Sequence, residues 1–384
     1  MNSKYSAVKT SKTVFFTICS WNFMAQAQVL HASLLRTHPG AIFYVFLCDD
    51  YDNQDASSFC FHIIPIDKLG MPNLHELVIA YNITELNTAM KPYAFLYLFE
   101  IHADCSIVYL DPDILVLSPL SELLEVLDNG SVDCVLTPHL LEPAEFAEMD
   151  ESKMLQYGIY NLGFCALRDT IDVRRIVAWW ARRLEKQCVI DLPSGLFVDQ
   201  KWADLLPAFI DRTYILRHPG YNVAYWNLSQ RTIRLSDQSS EGDEWLANGM
   251  PLRFFHFSGS VIDDPVIFSR HSQQFTLDNV GDVRTLFFYY VSEIHRFNRA
   301  HFRNIPYAFS WNGINGINEH TPDASSGSSH RPVSATKGRS IMATIASLVV
   351  RPDMRMKVVD SYRQFGMFGT FKKIAWYLRK TGHR

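Results

Sequence analysis

The chain has 384 residues, of which 48% are hydrophobic and 13% aromatic, so it can bury a large core. Its formal net charge is -4, yet residues 331–384 carry twelve Lys and Arg against two Asp and Glu, whereas residues 1–330 carry 24 against 38. No stretch approaches the roughly 20 apolar residues of a membrane span. The sequence therefore predicts one enlarged α/β domain with a basic extension, and neither a membrane-spanning nor a nucleic-acid-binding protein.

The cysteines and the N-terminal residues indicate the compartment. The seven cysteines form no C-x-x-C pair and most of them sit inside apolar runs, which is typical of reduced core residues. The apolar stretch near the start of the sequence is too short for a secretion signal. We therefore expect a cytoplasmic protein.

The first predicted elements form a βαβ unit. The β-prone run Thr13 to Cys19 is followed by apolar residues near helical spacing, which stop at His38-Pro39-Gly40. The stretch "AIFYVFLCDD", residues 41–50, predicts a second buried strand, and residues 61–66 predict a third, shorter one.

The alternation continues toward the middle of the chain. The sequence predicts one helix over residues 85–100, in spite of Pro92, and then a strand over Ser106 to Leu110. A helix follows over residues 118–130 and a strand over residues 132–138. In the next predicted helix, every fourth position is apolar, as in the buried stripe of an amphipathic helix: Ile176, Trp180, Leu184 and Cys188.

This alternation predicts a mostly parallel sheet with helices on both faces. Ligands of such open sheets bind beyond the carboxyl ends of the strands, where Asp111 lies. Asp111 and Asp113 flank Pro112, and proline favours an extended segment in which both carboxylates point the same way. Oxygen ligands suit Mg²⁺ or Mn²⁺.

A D-x-D pattern is common by composition alone. Asp50-Tyr51-Asp52 is a second instance, but it runs into a polar stretch typical of a solvated loop. The strand before Asp111 and the renewed apolar run after Asp113 favour the first instance as a metal site.

The segment "VYLDPDILVLSPLSELL" resembles the metal-binding segment of GT-A-fold glycosyltransferases, especially family eight, which includes glycogenin and bacterial lipopolysaccharide galactosyltransferases. Three further segments resemble, in the family's order, its asparagine-containing strand, its Asp-Gln segment and its His-x-x-Gly segment: "YNLGFCALRD" (Tyr160–Asp169), "FVDQKWADLL" (Phe197–Leu206) and "RFFHFSG" (Arg253–Gly259). The similarity covers roughly residues 13–275.

The resemblance implies a GT-A, Rossmann-like fold with a helical C-terminal extension. It also implies transfer of a sugar, with retention of configuration, from a nucleotide diphosphate sugar to an acceptor hydroxyl. The expected donor is UDP-linked, and the expected role lies in bacterial surface glycan or lipopolysaccharide synthesis, with a glycan, glycolipid or protein acceptor.

The resemblance also assigns residues. Asp111, Asp113 and His256 are expected to hold Mn²⁺ or Mg²⁺. Because an amide is a poor nucleophile, a front-face substitution, in which the departing phosphate helps to deprotonate the acceptor, fits better than a covalent intermediate. The residues expected to bind the donor sugar are Asn161, Asp199 and Gln200, with Gln200 nearest the reacting carbon.

Two departures from the family pattern concern the nucleotide. The family often has a lysine three residues after the glycine of His-x-x-Gly, and Ile262 stands there in this chain, so Lys91 and Arg270 become the candidate cations for the diphosphate. The loop "TICSWNF" lacks the family's acidic base-binding residue. The residues expected to stack on the base are Trp21 or Phe23, and those expected to reach it are Asp49 or Asp50.

Each assigned residue has a structural alternative. His256, among phenylalanines, could be a hydrogen-bonded core histidine, and Asn161 could cap or turn the chain. Asp199 could be the N-cap of the following helix. Lys91 and Arg270 could be solvated cations.

The last part of the chain has a different character. Residues 321–340 are rich in Ser, Gly and Pro and predict a flexible linker between a transferase domain, residues 1–320, and an amphipathic tail, residues 341–384. The tail combines basic and aromatic residues, so it could lie peripherally on an anionic membrane. A packed or disordered extension with a solvated charged face is the alternative.

Two other functions remain open. A phosphatase of the haloacid dehalogenase type also has a D-x-D at a strand end, although its motif is N-terminal and needs a later acidic pair, for which Asp263-Asp264 is the candidate. A sugar-nucleotide-binding protein with a degenerate transferase site would explain Ile262 and the missing acidic loop.

Overall fold

The computed structural model describes residues 12–51, 54–144, 147–236, 244–264 and 267–309. The predicted linker and tail lie outside these residues. The strands are β1 (Lys12–Cys19), β2 (Ile42–Leu47), β3 (His62–Pro65), β4 (Cys105–Leu110), β5 (Ile114–Val116), β6 (Cys134–Pro138), β7 (Tyr160–Arg168), β8 (Ile190–Asp191), β9 (Leu196–Phe197), β10 (Thr213–Ile215), β11 (Ile233–Leu235), β12 (Trp245–Ala247), β13 (Met250–Pro251) and β14 (Phe254–His256). The helices are α1 (Met24–Thr37), α2 (Leu74–Ala80), α3 (Ile83–Ala89), α4 (Lys91–Ile101), α5 (Ser121–Asp128), α6 (Glu151–Tyr157), α7 (Ile171–Gln187), α8 (Gln200–Ala203), α9 (Leu206–Phe209), α10 (Val283–Arg296) and α11 (Arg299–Phe302).

A seven-stranded sheet in the order β10-β6-β7-β4-β1-β2-β3 forms the centre of the fold. β7 pairs antiparallel with β4 and β6, and all the other neighbours pair in parallel. The predicted mostly parallel sheet is confirmed. The strand order reverses beside β1, because β2 and β3 extend to one side and β4 lies on the other, and such a switch point is where open α/β sheets bind ligands.

Helices cover both faces of the sheet, as predicted. Val14, Phe16 and Ile18 of β1 belong to a core cluster that includes residues of α3, α4 and α7. The alternate residue Phe15 instead contacts His38 at the end of α1, with ring centroids 5.8 Å apart. Because both faces are covered, β1 forms a continuous apolar run rather than an alternating one.

Two predicted helices differ in outcome. The predicted amphipathic stripe is confirmed, since Ile176, Trp180 and Leu184 of α7 are buried, as is Cys188 just after it. The single helix over residues 85–100 is wrong, because the chain forms α3 and α4, which meet at Met90. Pro92 stands in the first turn of α4, where its missing N–H interrupts no helical hydrogen bond.

A second, two-stranded sheet brings a late part of the chain beside Asp113. β5 and β14 pair antiparallel, with Ile114 opposite His256. The N–H of Phe257 donates to the carbonyl of Asp113 at 2.9 Å, which extends the pairing toward the turn that precedes β5. This backbone ladder therefore sets the position of His256.

Two predictions concern the state of the cysteines and the presence of membrane-spanning helices. All seven cysteines are free, and all except Cys60 are buried, as expected for reduced core residues. Among the residues given above, no helix has both the length and the apolar character needed to cross a bilayer.

Candidate functional site

The segment from Asp111 to Ile114 is a turn, not the extended segment that the sequence predicts. The N–H of Ile114 donates to the carbonyl of Asp111 at 3.1 Å and closes a β-turn with Pro112 at its second position. The fixed φ of proline suits this position as well as a strand, which explains the wrong prediction. The carboxylates converge because the chain turns.

Asp111, Asp113 and His256 come together. The Nε2 atom of His256 lies 3.1 Å from Oδ1 of Asp113 and 3.5 Å from Oδ2 of Asp111. One ligand atom from each residue lies within 4.8 Å of the others. Ligands at neighbouring corners of an octahedron with bonds of about 2.1 Å lie about 3 Å apart, so the three side chains fit a divalent cation.

Asp111, Asp113 and His256 form a candidate metal site, which we call the metal cluster. Their charges partly balance without a cation. Burial lowers the pKa of His256, but the two carboxylates outweigh burial and hold it above its ordinary value. Burial raises the pKa of Asp111, and Lys91 and His256 partly offset that rise. A cation that binds to the imidazole must therefore displace its proton.

A buried ion pair lies beneath Asp111. Lys91 pairs with Asp199, and each side chain is only 2% exposed. The ammonium of Lys91 also donates to the carbonyl of Leu162 at 2.8 Å and lies 4.3 Å from the ring centroid of Tyr109, whose hydroxyl donates to Oδ1 of Asp111 at 2.5 Å. Lys91 is thus not a solvated cation, and binding a diphosphate would require it to leave Asp199.

Asp199 and Gln200 lie at the start of α8. Asp199 occupies the N-cap position but makes no side-chain capping bond, so the capping alternative is wrong. The Oε1 atom of Gln200 accepts from the N–H of Leu162 at 3.1 Å, and Nε2 donates to the carbonyl of Tyr157 at 2.9 Å. An amide with its oxygen engaged is an even poorer nucleophile, and its second N–H is the donor it can offer a substrate.

The amide of Asn161 has a partner for each of its four hydrogen-bonding positions. Its Oδ1 accepts from the N–H of Gly163 at 3.1 Å and from Nδ2 of Asn222 at 3.0 Å. Its Nδ2 lies 3.2 Å from Nε2 of His139 and 3.4 Å from Oε1 of Gln200. A direct bond to a sugar would have to replace one of these contacts, so the predicted sugar contact of Asn161 competes with its role in organising the site.

The residues expected near a nucleotide base are tied to the C-terminal part of the described chain. Trp21 is fully buried, and its ring lies nearly parallel to that of Phe302, with centroids 6.4 Å apart. The Asp49 carboxylate accepts from the N–H groups of Trp21, Asp50 and Ala308 at 3.3, 2.9 and 2.9 Å. Base contacts by Trp21 or Asp49 stay predictions, and both side chains are buried in the structure.

Two other candidates are less buried. Phe23 is half-buried just before α1, and Arg270 is exposed. The backbone N–H of Arg270 donates to the carbonyl of Gly259 at 2.9 Å. Burial and the charge of Arg270 lower the pKa of the neighbouring His271. The charges of Asp113 and His256 also act on this pKa, so the loop lies beside the metal cluster.

Sequence reasoning missed Tyr109, His139 and Asn222. A signal for Tyr109 existed, because it precedes Asp111 by two positions, the spacing that places strand residues on one face. Asn222 follows Pro219-Gly220, which looks like an ordinary turn, and His139 follows the end of β6. No local pattern shows that either residue contacts Asn161.

No family model matches the chain. The uncharacterized proteins YfnF and YfnD of Bacillus subtilis (strain 168) are 25% identical over 252 residues and 22% identical over 232 residues. These matches cover 64% of this chain and 81% of YfnF, and 56% of this chain and 70% of YfnD.

Two solved structures with similarity to this chain are of glycosyltransferases. The galactosyltransferase LgtC, in complex with donor and acceptor sugar analogs, matches with 17% identity and a TM-score of 0.41 over 73% of this chain and 95% of LgtC. Mouse xyloside xylosyltransferase 1, in its apo form, matches with 12% identity and a TM-score of 0.37 over 64% of this chain and 97% of that protein.

Gly163 leaves the space that the His256 ring occupies. A Cβ at position 163 would lie 2.3 Å from Cε1 of His256. We expect Gly163→Ala to lower the free energy of unfolding of the metal-free protein by about 1–3 kcal/mol, because the ring must shift. In a His256→Ala background the same substitution should lower the free energy of unfolding clearly less. Denaturant titrations of the parent, the two single variants and the double variant measure both changes. Equal costs in the two backgrounds would contradict the close packing.

Binding of Mn²⁺ should depend on pH. Below the raised pKa of His256, which lies above the ordinary value of 6.5, the ion competes with a proton. The affinity should therefore fall about tenfold per pH unit below that pKa and level off above it. Calorimetric titrations in two buffers of different protonation enthalpy measure the proton released. His256→Ala should bind Mn²⁺ more weakly and lose this pH dependence. A parent affinity that stays constant from pH 6 to 8 would contradict the competition between the ion and the proton.

Proposed function

We propose that this chain is a metal-dependent glycosyltransferase that moves a sugar from a nucleotide diphosphate sugar to an acceptor hydroxyl. The observation that carries the proposal is that all four motif segments, which are far apart in the sequence, meet at one place. Asp113 faces His256, and Asn161 contacts Gln200. They meet at the carboxyl ends of β4 and β6, next to the switch point of the sheet, where ligands bind in folds of this class.

The chemistry of the metal cluster supports the same reaction. Asp111, Asp113 and His256 would hold Mn²⁺ or Mg²⁺, whose charge offsets the negative charge that a leaving diphosphate gains as the glycosidic bond breaks. The Tyr109 hydroxyl engages Oδ1 of Asp111, so that Oδ2 is the oxygen on the His256 side.

The residues beneath the metal cluster would position the donor sugar. Lys91 neutralises the buried Asp199 and holds the backbone of Leu162. Gln200 would offer its second N–H to the sugar, since its oxygen is engaged and cannot form a covalent intermediate. The acceptor hydroxyl would then give its proton to the departing phosphate, which corresponds to front-face transfer with retention of configuration.

The finer assignments come from the motif resemblance. We propose a UDP-linked donor, and a glycan, glycolipid or protein acceptor in bacterial surface glycan or lipopolysaccharide synthesis. We also propose that the protein is cytoplasmic, and that its basic tail contacts anionic membrane. Arg270, on the loop beside the metal cluster, is the residue proposed to replace the family's lysine at the diphosphate.

The two alternatives differ in their support. A phosphatase would need an acidic pair beside Asp111, but Asp263 instead binds Arg299 and Arg303 at 3.2 and 2.9 Å. A sugar-nucleotide-binding protein without turnover needs the same donor site as the transferase. Only measurements of turnover separate it from the transferase.

A panel of nucleotide sugars, assayed with Mn²⁺ and with EDTA, tests the proposed function. We expect one donor to be transferred or hydrolysed only with Mn²⁺, and to stabilise the protein by about 2.7 kcal/mol at a hundredfold excess over its dissociation constant. Asp113→Asn should lose about 100-fold or more in turnover, because removing one charge weakens the hold on the ion. The control Asp278→Asn, at a side chain that is 93% exposed, should behave as the parent.

Three results would oppose metal-dependent transfer. Stabilisation by a donor without turnover would indicate a binding protein, and phosphate release from simple monoesters would indicate a phosphatase. Equal turnover in Mn²⁺ and EDTA would exclude the metal-dependent reaction.

A further inference from the structure

Asn222 connects the metal cluster to the strands below it. The residue lies in the segment between β10 and β11, is fully buried, and has φ +51°, a left-handed conformation that asparagine adopts more readily than most residues. The N–H of His256 donates to the carbonyl of Val223 at 2.8 Å, so the backbone beside Asn222 runs along β14. The side chain of Asn222 is thereby held next to the imidazole.

The hydrogen bonds fix which way the Asn222 amide points. The N–H of Gly163 can only donate, so the atom of Asn161 that it meets at 3.1 Å must be the oxygen. That oxygen lies 3.0 Å from Asn222, so the facing atom of Asn222 must be its nitrogen. The same nitrogen also donates to the hydroxyl of Thr137 at 2.8 Å. The oxygen of Asn222 therefore faces His256.

This orientation determines where His256 carries its proton. The Oδ1 atom of Asn222 lies 3.2 Å from Nδ1 of His256, and an amide oxygen can only accept. Nδ1 must then bear a hydrogen. Nε2 lies 3.1 Å from the Asp113 carboxylate, which also only accepts, so the metal-free ring can carry a second hydrogen there, and a cation that binds Nε2 displaces it. Trp226 packs edge-on to the ring at 5.2 Å and restricts its rotation.

We infer that Asn222 is a positioning residue that keeps a hydrogen on Nδ1 of His256, so that Nε2 is directed at the two carboxylates and offers its lone pair to a cation held by them. This role of Asn222 rests on the proposed metal-dependent function. The inference also gives Asn161 a second task, since its oxygen is what orients Asn222. Hydrogen bonds of this kind to metal-binding histidines fix the tautomer and the ring orientation.

Two variants of Asn222 and one control test this inference. Asn222→Gly removes the amide and suits the positive φ, whereas Asn222→Asp keeps an acceptor for the hydrogen on Nδ1. The control is Asn227→Ala. Asn227 is also fully buried, and its amide bonds only backbone groups, namely Ala224, His139 and Asn222. Thermal unfolding of each metal-free variant checks that it is folded.

Nitrogen-15 NMR of histidine-labelled, metal-free protein at alkaline pH reports the tautomer, with the His256 signal assigned by its loss in His256→Ala. We expect hydrogen on Nδ1 in the parent, in Asn222→Asp and in Asn227→Ala, but on Nε2 alone, facing the Asp113 carboxylate, in Asn222→Gly. Calorimetry should show Mn²⁺ affinity about 10–100-fold weaker in Asn222→Gly, and close to that of the parent in Asn227→Ala.

The opposing results are distinct from a failure of the proposed function. If Asn222→Gly keeps both the Nδ1 tautomer and the parent affinity, or if Asn227→Ala changes them as much, the inference is wrong. If Asn222→Gly does not fold, loss of the Nδ1 hydrogen in Asn222→Asp would overturn the inference and its retention would support it. If the parent protein does not bind Mn²⁺, the proposed metal site is wrong. The NMR measurement of the tautomer still tests the role of Asn222.

Discussion

The close approach of His256 to Asp111 and Asp113 is the interaction on which the rest of the site depends. Two carboxylates beside a buried strand are costly unless a positive charge compensates them. The imidazole provides that charge when protonated, and a divalent cation can replace the proton. The pairing of β5 with β14 makes the approach possible, because it places Ile114 opposite His256.

The site divides into a buried lower part and a partly exposed upper part. Below, the amides of Asn161, Gln200 and Asn222 join three separate segments of the chain in one hydrogen-bonded network. Above, the side chains of Asp111 and Asp113 are 30% and 19% exposed, so ligands can reach them. A network with few unused donors keeps its geometry while the carboxylates exchange a proton, a cation or a substrate.

The sequence predicts the fold class and the three side chains that come together at Asp111, Asp113 and His256, but not the contacts that support them. Strand and helix periodicity identified β1 and the buried stripe of α7, and the motif order identified His256. The break at Met90 and the turn at Pro112 were missed, because proline suits the first turn of a helix and a β-turn as well as an extended segment. The partners of Asn161 and Asp199 depend on tertiary packing between distant segments, which no local pattern encodes.

The most direct test is to locate a bound Mn²⁺ by its anomalous X-ray scattering in crystals of the full chain. The account predicts one strong peak within about 2.3 Å of Nε2 of His256 and of one oxygen each of Asp111 and Asp113. A peak elsewhere, or no peak at these residues at millimolar Mn²⁺ and alkaline pH, would contradict it.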